Sequence, residues 1–171
     1  MMLALTYAMT APPRPKDRQR LLALARAPED LRSLAFAGVI GEGLKYGALP
    51  LIRGLAPAEF QRLLAEYFPG LHLSNGIAPP PDALDEFDDL VSLLLDHRAG
   101  DGEAFRWLAC AIATAAMREQ HLWQDMGLPS RRELSALMLR FFPALAAKNS
   151  GDMKWKKFFY RQLCEQTGLL M

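Results

Sequence analysis

Two segments of this chain narrow its choice of fold more than any other feature. Glu59 to Leu71 reads EFQRLLAEYFPGL, and Glu133 to Leu145 reads ELSALMLRFFPAL, aligned without gaps 74 positions apart. Each places apolar residues at i, i+3, i+4 and i+7: Phe60, Leu63, Leu64 and Tyr67 in the first, Leu134, Leu137, Met138 and Phe141 in the second. That spacing lines one face of an α-helix. Each segment then stops at Phe-Pro, because proline disfavours helical geometry in the residue before it. At the same offset, LRSLAFA from Leu31 and FRWLACA from Phe105 share an arginine, a leucine and two alanines. The pattern reads either as a duplicated helical pair or as Ala/Leu-rich helices that resemble one another by composition. An offset of this length is too long for a solenoid, so a compact bundle follows in both cases.

The rest of the sequence is also helical in character. Alternating strand patterns are missing, and alanine and leucine, both strong helix formers, dominate the apolar set. Proline and glycine break the chain into about seven helices, over roughly 16–27, 29–47, 57–67, 83–97, 103–124, 131–141 and 152–166. Residues 1–15 read as a loose terminus, and 72–82 as the one long irregular connection, a hinge or a surface loop. Ser130 and Glu133 form a capping-box pattern, and Asp152 is placed to cap the last helix. With 171 residues, 51% apolar and 23% charged, the expectation is an all-α, compact, single-domain bundle over 1–171.

Charge and cysteine content narrow the function classes. Twenty Lys and Arg nearly balance nineteen Asp and Glu, so the overall basic field of a nucleic-acid binder is missing. No apolar run reaches the length of a membrane span. Two cysteines, Cys110 and Cys164, make no disulfide framework and fit a reducing, cytoplasmic compartment.

The candidate chemistry is local. In REQHLWQDMGL, Glu119, His121 and Asp125 are potential ligands or proton carriers. His121 and Asp125 stand four apart on any helix that runs through both. The plainer reading is that they bond to each other or cap a helix end, with Trp123 in the core. The last helix presents Trp155, Phe158, Phe159 and Leu163 as its apolar stripe. Lys154, Lys157 and Arg161 share the other side, with Lys156 beside them. That basic face suits an oxyanion or an acidic partner, or it is a solvated face paired with the acidic stretch Asp82, Asp85, Glu86, Asp88 and Asp89. Cys164 has Arg161 one turn before it, which would favour a thiolate; as a small buried core residue it needs no role. Phosphate-binding glycine loops, Gly-x-Ser-x-Gly elbows and Cys-x-x-Cys pairs are missing.

From Glu119 to Gly168 the blocks HLWQD-GL-SR-ELS-LM, FP-LA-KN and DMKWKKFFYRQLCE closely resemble the NifQ family of nitrogen-fixation proteins. DEFDDLVSLLLDHR is similar to it more weakly. The resemblance implies a molybdenum-handling carrier, and not an enzyme. Such a carrier builds molybdenum with iron and sulfide into a molybdenum–iron–sulfur cluster. It passes the metal to the proteins that assemble the nitrogenase iron–molybdenum cofactor, which would be this chain's partners, with neither nucleic acid nor membrane involved. The family continues into four cysteines spaced Cys-x4-Cys-x2-Cys-x5-Cys, ligands suited to iron–sulfur cores. This sequence reads CEQTGLLM at that point and carries none of the four. Two thiolates cannot supply four ligands, so a cluster held by these residues alone is not expected. The residues left to ligate metal are then Cys164 and His121, with Lys154, Lys156, Lys157 and Arg161 bordering an anion or a partner. The other reading is a metal-free helical module that binds the assembly partners.

Overall fold

The computed structural model describes residues 17–77 and 85–168, and among them every regular element is a helix. In chain order these are α1 (Asp17–Ala23), α2 (Leu31–Tyr46), α3 (Pro57–Tyr67), α4 (Phe87–Asp96), α5 (Glu103–Ala116), α6 (Leu122–Asp125), α7 (Arg131–Phe141), α8 (Pro143–Lys148) and α9 (Trp155–Gln166). The all-α class is as expected, with nine helices among the described residues in place of about seven. One addition is α8, which starts on Pro143, where a missing N–H breaks no helical bond. The other comes from the stretch 103–124, which is two helices, α5 and α6, separated by a turn at 117–121. The expected loose terminus at 1–15 lies outside the described residues, as do Asp82 and the end of the 72–82 connection.

The centre of the bundle is α2 against α5. Both are apolar around most of their circumference, which is what a helix enclosed by others requires. Ala35 to Ile40 of α2 and Trp107 to Ala115 of α5 are buried without a break. Around this pair, α1 and α7 pack on α2, whereas α3 and α4 pack on α5. The two repeated segments thus sit crosswise, each second helix on the other unit's first. Their predicted stripes are the residues each helix buries, Phe60, Leu63, Leu64 and Tyr67 in α3, Leu134, Leu137, Met138 and Phe141 in α7. Both stop alike: Phe68 has φ −134° and ψ 64°, Phe142 has φ −136° and ψ 56°, and each amide closes on the carbonyl four residues back. Between the two units the Arg32 guanidinium lies 5.8 Å from the Tyr67 ring centre and 5.2 Å from that of Phe141.

One close approach sets the position of everything after α5. A Cβ added to Gly38 of α2 would lie 1.8 Å from the Met126 carbonyl oxygen, and one added to Gly127 would lie 2.8 Å from Gly38 Cα. Gly127 also has φ +63°, the left-handed region that glycine tolerates best. Backbone therefore meets backbone where α6 ends, and Arg18 of α1 donates to the Gly127 carbonyl from the other side. The described part of the irregular connection is tied by a buried side chain to the segment that precedes α3. Buried Asn75 accepts from the Ile52 amide and donates to the Ile52 carbonyl, both at 2.8 Å.

Candidate anion-binding site

The turn that separates α5 from α6 is built by polar contacts to its backbone. Lys156 of α9 donates to the Arg118 carbonyl at 2.6 Å and to the Asp125 carboxylate at 2.6 Å. The same carboxylate accepts from the Gln120 amide at 2.9 Å, and Arg118 Nη1 donates to the Asp125 carbonyl at 2.9 Å. Asp125 is 7% exposed, so its charge is held away from water and needs this pairing. Burial, opposed by Asp125 and Glu42, pulls the Arg118 guanidinium below its ordinary range. This cluster ties the start of α9 to the α5–α6 turn.

α9 is held by its aromatic face. Trp155, Phe158 and Phe159 are 6%, 1% and 2% exposed, with ring centres 5.8 to 6.2 Å apart in tilted and edge-on pairs. The Trp155 indole donates to Ser135 of α7 at 3.3 Å. Asp152 does not cap this helix, as the sequence reading expected. The cap residue is Lys154, whose side chain makes no capping bond. Asp152 adopts φ 52° and its carboxylate accepts instead from Arg131 at 2.9 Å. The amides of Trp155, Lys156 and Lys157 consequently meet no acceptor among the described residues.

A cleft of about 390 Å³ opens between the starts of α6, α7 and α9. Its polar lining is His121, Arg131, Lys154, Lys156 and Lys157, joined by Gln120, and Trp155 and Leu134 supply apolar wall. Among the described residues no carboxylate lines it. Lys156 is paired with Asp125 and Arg131 with Asp152, whereas Lys154 and Lys157 have no ion-pair partner among the described residues. The helix dipole places positive potential at the first turn, where cations are normally disfavoured. Here three lysines occupy the cap and first turn of α9, and Arg131 opens α7. Free amides, dipole and lysines all point to an anion as the natural occupant.

The sequence-derived candidates divide accordingly. His121, Lys154, Lys156 and Lys157 converge on the cleft. Arg161 does not line it; exposed on α9, it pairs with Glu165 at 3.5 Å. Cys164 is half-buried nine residues beyond Trp155, about 13 Å along the helix axis. It does not share the cleft with His121. Nor do His121 and Asp125 share a helix face, since His121 precedes α6 as its cap and the Asp125 carboxylate belongs to Lys156. Among the described residues of the acidic stretch none pairs with an α9 lysine: Asp85 binds Arg53, and Glu86 accepts from Tyr160 at 3.1 Å. Arg131 is the site residue that sequence reasoning missed. Its signal was a cation at the first helical position after the Ser130 cap.

The donor set does not suit a thiolate-held cluster. Cys110 is buried in α5 and its thiol is pushed up to about 11 by desolvation. The described residues contain no group of three or more His, Cys, Asp and Glu side chains placed to hold a metal ion. No described helix is long and apolar enough to cross a membrane.

These features define a helical bundle whose two uncompensated lysines face an anion-receptive cleft. The NifQ family profile matches residues 35–171, which include the whole cleft. Protein NifQ of Rhodobacter capsulatus is 38% identical over 138 residues, 78% of this chain and 77% of that protein. Protein NifQ of Azotobacter vinelandii is 50% identical over 84 residues, 49% of this chain and 43% of its own length. The NifQ homolog of Sinorhizobium fredii is 41% identical over 124 residues, 67% and 51% respectively. The chain thus spans about half the length of the last two. No solved structure matches. The chain belongs to the NifQ family of nitrogen-fixation proteins.

Proposed function

We propose that this chain handles molybdenum for assembly of the nitrogenase iron–molybdenum cofactor, as a cytoplasmic carrier and not an enzyme, with molybdate as the cargo its cleft receives. The observation that carries the reading is the cleft itself: among the described residues, Lys154 and Lys157 are unpaired beside the free amides of α9, and no carboxylate lines it. Molybdate is a tetrahedral dianion. The lysines supply charge, the amides and the His121 ring supply directed hydrogen bonds, and Trp155 closes one side against water. Two free thiols suit a reducing compartment. The partners would be proteins of cofactor assembly that take the metal onward.

The test is calorimetric titration of molybdate into protein purified without oxygen, alongside Lys154→Ala/Lys157→Ala. Saturable one-to-one binding, weakened at least about tenfold in the double variant, supports the reading. A folded wild-type protein that retains no molybdenum and binds no molybdate overturns it and leaves a metal-free interaction module.

A further inference from the structure

The aromatic face and the Lys156 cluster hold α9 from behind, but they do not set the direction in which the chain enters its first turn. A capping side chain usually does that, and it occupies one of the free amides in doing so. The cap residue of α9 is Lys154, which makes no capping bond, and the entering chain is held one residue earlier. Asn149 donates from Nδ2 to the Met153 carbonyl at 3.0 Å and accepts at Oδ1 from the Met153 amide at 2.8 Å. One side chain thus binds both backbone polar groups of Met153. A carboxamide suits the task, since it offers a donor and an acceptor side by side. Arg131 Nη2 donates to the same carbonyl at 2.8 Å, and the Met153 side chain packs against the core. Asn149 is itself fixed by its backbone: its amide closes α8 on the Ala146 carbonyl at 3.0 Å, and its carbonyl accepts from the Asp152 amide at 3.1 Å. A single residue therefore ends α8 and sets the entry to α9.

We propose that Asn149 is a positioning residue for the anion cleft, an inference that rests on the molybdate reading of that cleft. Asn149 does not line the cleft. It acts through Met153, holding Lys154 and the amides of Trp155, Lys156 and Lys157 in place opposite His121 and Arg131. Its contribution is fixation without occupation: the first turn is ordered, and its amides stay open to a ligand. A site whose donors are already in place loses less conformational freedom on binding. If Asn149 only joined two helices, its loss would lower stability and leave affinity alone.

Calorimetric titration of molybdate into the full chain tests the proposal, with wild type and Asn149→Ala compared well below their unfolding midpoints. Asn149→Ala should bind at least about tenfold more weakly. Its affinity should keep the salt dependence of wild type, because no cation is lost, whereas Lys154→Ala/Lys157→Ala should flatten that dependence. Backbone relaxation NMR without ligand should show the amides of Trp155 to Lys157 more mobile in Asn149→Ala, with the rest of α9 unchanged. Should Asn149→Ala not fold, Asn149→Ser takes its place with the same expected losses, its shorter side chain being unable to span both Met153 groups. Wild-type affinity in the folded variant overturns the proposal and leaves the molybdate reading standing. An unchanged first turn by relaxation does the same. Wild-type protein that binds no molybdate overturns both.

Discussion

Lys156 and Lys157 are neighbours with opposite duties, and substitution separates them. Lys157 sits in the first turn of α9 with no carboxylate partner among the described residues, against the helix dipole. Lys157→Ala should therefore leave stability unchanged or raise it by about 0.3–0.5 kcal/mol while weakening molybdate binding. Urea unfolding and calorimetry on the same sample check both halves. Lys156 instead bonds the Asp125 carboxylate and the Arg118 carbonyl within a largely buried cluster. Lys156→Ala strands a buried carboxylate and should cost about 3 kcal/mol, seen as a lower urea midpoint. Gly38 is a third case, with no charge involved. Its replacement by alanine puts a methyl 1.8 Å from the Met126 oxygen, so α2 and the α6 end must part. A loss of about 3 kcal/mol is expected.

Among elements, the contact of α3 with α5 has an electrostatic component that pH can read. Arg106 of α5 holds the Glu59 carboxyl below its ordinary range by direct hydrogen bonds, and the Ala56 amide adds to this. A carboxyl whose folded pKa is depressed stabilises above its unfolded pKa, and that contribution is lost as pH falls through the folded value. Glu59→Gln should lower stability at neutral pH by about 1–2 kcal/mol. It should also flatten the decline of stability below about pH 4.5, measured by urea unfolding across pH. How much of the helix map was legible follows from what is local. The stripes of α3 and α7 were readable because period and Phe-Pro stop both lie within one short segment. The division of 103–124 was not, because its causes are distant: Gly38 against Met126 and Lys156 against the Arg118 carbonyl. The cap of α9 was misassigned for a similar reason, since Arg131, far off in sequence, draws Asp152 away. The site was half legible. His121 and the lysines stood out by type, but which of them share a cleft, and that Cys164 stands apart, depended on packing.

For the molecule as a whole, the decisive question is whether the cleft belongs to the bundle or to α9 alone. Every feature that gives the cleft its charge except Arg131 comes from the cap and first turn of α9. That turn has no side-chain cap, so its geometry depends on the aromatic face that docks the helix and on the Lys156 cluster behind it. Phe158 is 1% exposed and makes no contribution to the lining, which makes it a probe of docking without touching the ligand's surroundings. Phe158→Ala should cost about 3–4 kcal/mol by creating a cavity under the helix. If docking organises the site, molybdate affinity should fall with it at temperatures where the rest of the bundle is still folded. Leu64→Ala, at an equally buried position on α3 away from the cleft, should cost about as much and leave affinity unchanged. Thermal unfolding by circular dichroism with molybdate titration on both variants separates the two effects. Equal affinities in Phe158→Ala and wild type would mean that α9 presents its lysines without the bundle, and the convergence of His121 and Arg131 on the cleft would then have no part in binding.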